Sequence, residues 1–120
     1  MEHRHYRDAE MIDLDIPGSH EVTLWIVIGR DDGAPNFTML LLEIAPEGHT
    51  PYHNHPWEEE VFVKSGSGRL ITMDDETDLQ PGDAVYIAPG EPHQFLNTGM
   101  EPFQFLCMIP HRVGEGRNEK

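Results

Sequence analysis

The sequence predicts an all-β chain, an antiparallel β-sandwich or small barrel of the jelly-roll kind. Three observations lead there. Apolar, β-branched and aromatic runs recur at short, regular intervals along 120 residues. Eleven Gly and ten Pro are scattered between them, which breaks the chain too often for long helices. No segment carries a sustained helical period, and the regular spacing of short strands is that of a sandwich or barrel.

In chain order, residues 1–20 are polar and charged, with a turn at Pro17-Gly18. They read as an N-terminal arm holding at most one short strand. Val22 to Ile28 is the first clear strand, and residues 29–36 form a loop by their Gly, Asp, Pro and Asn content. Phe37 to Ile44 is long enough for two helical turns, but Pro35 and Pro46 on either side favour a strand. Pro46-Glu47-Gly48 is read as a turn leading into a His-rich segment. Short strands follow at 61–63, 69–73, 84–87, 93–97 and 103–109, separated by Ser-Gly, Asp-Asp-Glu, Pro-Gly-Asp and Pro-Gly-Glu-Pro turns. The expected organisation is an arm over 1–20, one domain over 21–110 and a polar, frayed tail over 111–120.

Composition excludes several classes of function. Lys and Arg number 8 against 22 Asp and Glu, a net charge of −14 with His neutral. Such a chain lacks the basic footprint that nucleic acid and anionic membrane surfaces require. No apolar run approaches the roughly 20 residues of a membrane helix. The first eight residues have no apolar core behind them, so a cytoplasmic location is expected. One cysteine, Cys107, cannot form an intramolecular disulfide. Gly-x-Ser-x-Gly elbows, phosphate-cradling loops and dinucleotide fingerprints are absent.

Eight histidines are many for this length, and imidazole is the commonest protein metal ligand. His53 and His55 are two residues apart, a spacing that puts both side chains on one face of an extended chain. Glu59 follows four residues later, beyond the Pro56-Trp57 kink, and returns to that face on the next strand. Glu58 and Glu60 have the opposite parity and read as solvated, although a one-residue slip in register would exchange the roles. His93 lies downstream on a strand that neighbours this one in a rolled sheet. Three imidazole nitrogens and a carboxylate oxygen suit a divalent transition metal, Mn, Fe, Co, Ni or Zn, with positions left for water or substrate. His3-Arg4-His5 has the same spacing but lacks the surrounding Gly, Pro and acidic residues, and is read as structureless. His49 is read as a rim residue, and His20 and His111 as surface groups.

Gly48, His53, His55, Glu59 and Gly66, then Gly82, Pro89, His93 and Asn97, stand in an order and spacing that resembles the two motifs of the cupins. The resemblance spans about residues 37–110. It is closest to small single-domain cupins with His-x-His-Pro-Trp-Glu, here His53 to Glu58, and a Phe-Leu-Cys-x-Ile-Pro ending, here Phe105 to Pro110. Three departures stand out. The first motif's Gly falls one residue late, with Glu47 in its usual place. The second motif's Pro-x-Gly is rearranged to Pro89-Gly90-Glu91. Glu59 stands where the most similar cupins often carry a fourth His, so a divalent complex here has a net charge of about +1.

The resemblance implies a double-stranded β-helix, the cupin barrel, with His53, His55, Glu59 and His93 holding Mn or Fe, or else Zn, Ni or Co. It implies a metal-dependent enzyme, foremost a Mn(II)/Fe(II) oxygenase (a dioxygenase-type oxidoreductase) acting on a small organic molecule. The alternatives are an isomerase, lyase or hydrolase in which the metal is a Lewis acid, and a sensor or storage protein without turnover. Trp57, Phe95, Phe105, Cys107 and Ile109 are expected to line an apolar pocket, with the plain core as the competing reading. Cys107 either faces the metal or is an inert core thiol. Asn97 is expected to bond backbone rather than metal, and glycines 48, 66, 82 and 90 to serve turns needing positive φ. Glu47, Tyr52 and Tyr86 are the remaining loose candidates for acid–base work. The apolar Val22–Ile28 run needs cover, so a homodimer is expected.

Overall fold

The computed structural model describes residues 1–111. Nine strands form a curled antiparallel sheet, the jelly-roll barrel expected. They are β1 (Glu10–Asp13), β2 (His20–Ile28), β3 (Phe37–His49), β4 (Glu59–Ser65), β5 (Gly68–Thr72), β6 (Glu76–Leu79), β7 (Ala84–Ile87), β8 (His93–Asn97) and β9 (Phe103–Pro110). The helices among the described residues are two single 3-10 turns, Tyr6–Asp8 and Arg30–Asp32. None is long and apolar enough to cross a membrane.

β3 ties the barrel together. Its first half, Phe37 to Ile44, pairs with β2 on one side and β9 on the other, and its last residue, His49, pairs with Leu96 of β8. One layer is therefore β1-β2-β3-β9-β4-β7 and the other β6-β5-β8. The core between them contains Ile44, Val61, Val63, Phe95, Phe103, Phe105 and Cys107. Each fully buried Phe is worth about 2–3 kcal/mol of apolar burial. Strand alternation decides which side chains enter it: along β4, Glu59, Val61 and Val63 are buried while Glu60, Phe62 and Lys64 face out.

Five sequence expectations change. Pro46-Glu47-Gly48 is not a turn, because β3 runs through it. The strand bends there instead, with Glu47 at φ +69° and, across the β2 register shift, Glu21 at +57°. Gly48 does not supply the positive φ; it permits close approach, since a Cβ would sit 2.6 Å from the His20 carbonyl oxygen. β6 replaces what reads as part of a turn, and it is short, charged and at the sheet edge. The His3-Arg4-His5 segment is ordered, because Arg4 donates to the Val27 carbonyl at 2.6 Å and to Asp32 at 2.8 Å. His111 is half-buried rather than surface, held by Thr38 Oγ1 at 3.1 Å and the Ala34 carbonyl at 2.8 Å. The rest of the expected tail lies outside the described residues.

Met11, Trp25, Leu41, Leu106 and Phe62 are successive cross-strand neighbours on β1, β2, β3, β9 and β4. They make an apolar row on the outer face, and Met11 and Phe62 are 57% and 46% exposed. Tyr6 of the arm packs edge-on against Trp25 at 5.1 Å.

Candidate metal centre

His53 and His55 lie on the connection between β3 and β4, outside any long strand. Pro51 and Pro56 flank them, and a proline has no N–H to extend a ladder. The segment is nevertheless laid along β8 by single contacts. Thr50 N donates to the Phe95 carbonyl at 2.9 Å, and Phe95 N to Thr50 Oγ1 at 2.8 Å. His53 and His93 exchange both backbone hydrogen bonds, at 3.1 and 2.9 Å. Gly90 N donates to the His55 carbonyl at 2.7 Å, and Asn54 Nδ2 to the Gly90 carbonyl at 3.2 Å. An extended backbone so pinned keeps the two-residue parity, and His53 and His55 project together.

Ligand nitrogens of His53, His55 and His93 lie within 4.8 Å of one another. His93 is 2% exposed, His55 half-buried, and His53 stands at the exposed rim. Glu59 enters from the first position of β4. Its Oε1 lies 3.0 Å from His55 Nε2 and 3.5 Å from His93 Nε2, and its Oε2 lies 3.1 Å from Cys107 Sγ. Glu58 and Glu60 face solvent, so the register is the one parity predicts.

The two deeper rings are fixed from behind. His55 Nδ1 bonds the Trp57 carbonyl at 2.9 Å and His93 Nδ1 bonds the Glu91 carbonyl at 2.8 Å. A carbonyl only accepts, so both Nδ1 atoms carry the proton. In the neutral rings both Nε2 atoms then turn bare lone pairs toward an oxygen that is itself an acceptor. Such a cluster holds together around a cation, either a proton or a metal ion. The donor set fits a divalent transition metal, with second-layer carbonyls orienting the imidazoles as metal-binding histidines require.

The titration of the metal-free cluster expresses the same need. Burial favours neutral Glu59, but the hydrogen bonds to His93 and Cys107 and the nearby imidazoles prevail and lower its pKa. Burial opposes charge on His93, yet the bonds to Glu59 and the Glu91 carbonyl outweigh it and raise its pKa. His53 moves the other way, lowered by burial and then by the charges of His93 and His55.

Of the expected pocket residues, Trp57 stacks flat on His55 at the rim, with ring centroids 4.3 Å apart and planes at 7°. Phe95 and Phe105 are buried beneath His93, 4.5 Å from each other, and Phe95 is 6.3 Å from the His93 ring. Ile109 is partly buried against the same core. Cys107 belongs both to that core and to the site, through Glu59. Asn97 bonds backbone as expected, donating to the Ile44 and Glu101 carbonyls at 2.8 Å each. Tyr86 shares the outer face of its strand pair with Glu60 and is turned away from Glu59. His49 lies at the end of β3, outside the cluster, 3.5 Å from Gln94 Nε2.

A jelly-roll barrel that groups three histidines into a candidate metal site defines a class of small β-barrels. The chain belongs to the cupin family, for residues 40–109 match the family pattern described as Cupin domain. A polyketide cyclase, RemF, from Streptomyces resistomycificus superposes with a TM-score of 0.86 and 35% identity, over 92% of this chain and 79% of that one. An uncharacterized protein of Methanocaldococcus jannaschii is 39% identical over 67 residues, covering 53% of each chain. Glucose-6-phosphate isomerase of Pyrococcus abyssi is 35% identical over 74 residues, 57% of this chain and 38% of that one. The chain thus aligns with about half, or less, of the length of these two curated relatives.

Proposed function

We propose that this protein is a metal-dependent enzyme that promotes enolisation of a small, uncharged carbonyl compound. A divalent metal held by His53, His55, His93 and Glu59 would supply Lewis-acid polarisation of the carbonyl oxygen. The observation that carries this reading is the group of His53, His55 and His93 nitrogens within 4.8 Å of one another, with Glu59 Oε1 3.0 Å from His55 Nε2 and 3.5 Å from His93 Nε2. The names of two similar proteins, a polyketide cyclase and a glucose-6-phosphate isomerase, denote cyclisation and isomerisation, neither of which is a net oxidation. That chemistry supports the Lewis-acid alternative above the oxygenase expectation.

The protein's own groups have separable tasks. His93 and Glu59 form the buried floor, and His53 stands at the open edge where a substrate arrives. Trp57, stacked on His55, gives the mouth a flat aromatic wall suited to a planar carbonyl compound. The choice of an uncharged substrate follows from charge. Arg4, Lys64 and Arg69 are bound to Asp32, Gln104 and Asp78, away from the histidine cluster. A phosphorylated sugar would also approach a chain of net charge −14.

Deuterium exchange in D2O, followed by NMR on a panel of 1,3-dicarbonyl and hydroxyketone compounds, tests the reading. Metal-dependent exchange at carbon next to the carbonyl, under nitrogen and lost in His93→Ala, is expected. Oxygen consumption without such exchange would restore the oxygenase. For assembly, we propose that a second copy covers the Met11–Phe62 row, giving a homodimer. Sedimentation of Phe62→Glu as a monomer, against a wild-type dimer, is the expected result.

A further inference from the structure

Cys107 is the single thiol of the chain and it is 3% exposed. Strand register places it with care. Cys107 of β9 is the cross-strand partner of Val61 of β4, one inward position along from Glu59. Its neighbours Val61, Phe95 and Phe105 are all core residues, so the side chain has little freedom to turn away. The sulfur reaches Glu59 Oε2 at 3.1 Å while Oε1 faces the two histidines. A thiol donates and a carboxylate only accepts, so the proton lies on sulfur.

We propose that Cys107 is a positioning residue for Glu59. Its S–H occupies Oε2 and holds the carboxylate so that Oε1 alone is presented to the histidine cluster. Glu59 then binds a metal through one oxygen, and a position stays open for substrate. The proposal rests on the reading of Glu59 as a ligand. It is distinct from that reading, because a carboxylate without the thiol would be free to offer both oxygens.

Two measurements test it. The S–H stretch in the infrared spectrum of the metal-free protein belongs to Cys107 alone. It is expected at lower frequency in wild type than in Glu59→Ala, where the acceptor is gone. An identical band in both overturns the proposal. Cobalt(II) then serves as a spectroscopic probe of the loaded site. Cys107→Ala is expected to bind it about 10- to 100-fold more weakly, the usual cost of a lost second-layer partner. Its ligand-field bands should change as Glu59 turns. Cys107→Ser, which keeps a donor, should restore both. Unchanged affinity and spectrum in Cys107→Ala overturn the positioning role and leave the metal centre standing. A sulfur-to-cobalt charge-transfer band in wild type also overturns it, since the sulfur would then be a ligand. Wild type that takes up no cobalt removes the metal centre, and this proposal with it.

Discussion

The chain contains two His-x-His segments, and only one of them makes a site. His3 and His5 have the spacing of His53 and His55, yet their surroundings send them to different work. His5 turns its Nδ1 back to accept from Arg7 N at 3.1 Å, capping a 3-10 turn, and stacks on Tyr6. It is Arg4, between them, that docks on the barrel. His53 and His55 are instead held against β8 and the 88–91 turn, with Glu59 arriving from β4 and His93 from beneath. Spacing supplies parity. Convergence comes from the elements that close around the segment.

The sharpest way to break the comparison is to remove a ligand from one segment and its counterpart from the other. His93→Ala should weaken divalent metal binding by at least about 100-fold, more than loss of an outer partner costs. His55→Ala should act similarly. The pair His3→Ala and His5→Ala should leave metal content unchanged in elemental analysis. Equal loss from both segments would mean that the arm contributes to binding.

Metal removal comes next. Metal at 100 times its dissociation constant stabilises the fold by about 2.7 kcal/mol. Chelation should therefore lower Tm by several degrees in wild type and by nothing in His93→Ala.

The pH dependence of the metal-free protein follows from Glu59 and His93. Glu59 has a folded pKa below its ordinary 4.5, so its contribution is present above that value and lost as pH falls through the lowered one. His93 has a folded pKa above 6.5, so its contribution is present below 6.5 and lost as pH rises through the raised one. The pair stabilises metal-free protein most between these values. Thermal melts should show that maximum flattened in Glu59→Ala, while His5→Ala keeps it.

The smallest effect expected is at Glu47, whose φ of +69° is a left-handed conformation on a non-glycine residue. Glu47→Gly should raise stability by about 1 kcal/mol, read as a small rise in Tm, without changing metal affinity.

Much of this was legible in the sequence because the informative residues obey parity. Along β4 the alternation from Glu59 to Lys64 separates core from solvent, and the choice of Glu59 over Glu58 and Glu60 follows from it. The nearness of His93 to His53 was legible from motif order. What was not legible depends on pairing between distant strands. β6 has charged residues and an edge position, and so shows no alternation to read. Pro46 and Gly48 look like a turn, yet Gly48 is required by the backbone of β2 pressing on it. The Cys107–Glu59 contact depends on the β4–β9 register, which no local pattern encodes. Arg4 anchoring the arm is likewise a contact across 23 residues.

The central claim is that three imidazoles and one carboxylate meet on a common ion. X-ray absorption at the edge of a metal titrated into purified wild-type protein reads that coordination sphere directly. One equivalent of metal bound by three imidazole nitrogens and protein oxygen, reduced to two imidazoles or to no binding in His93→Ala, is the predicted result. A sphere of water alone, or one unchanged by His93→Ala, would contradict it.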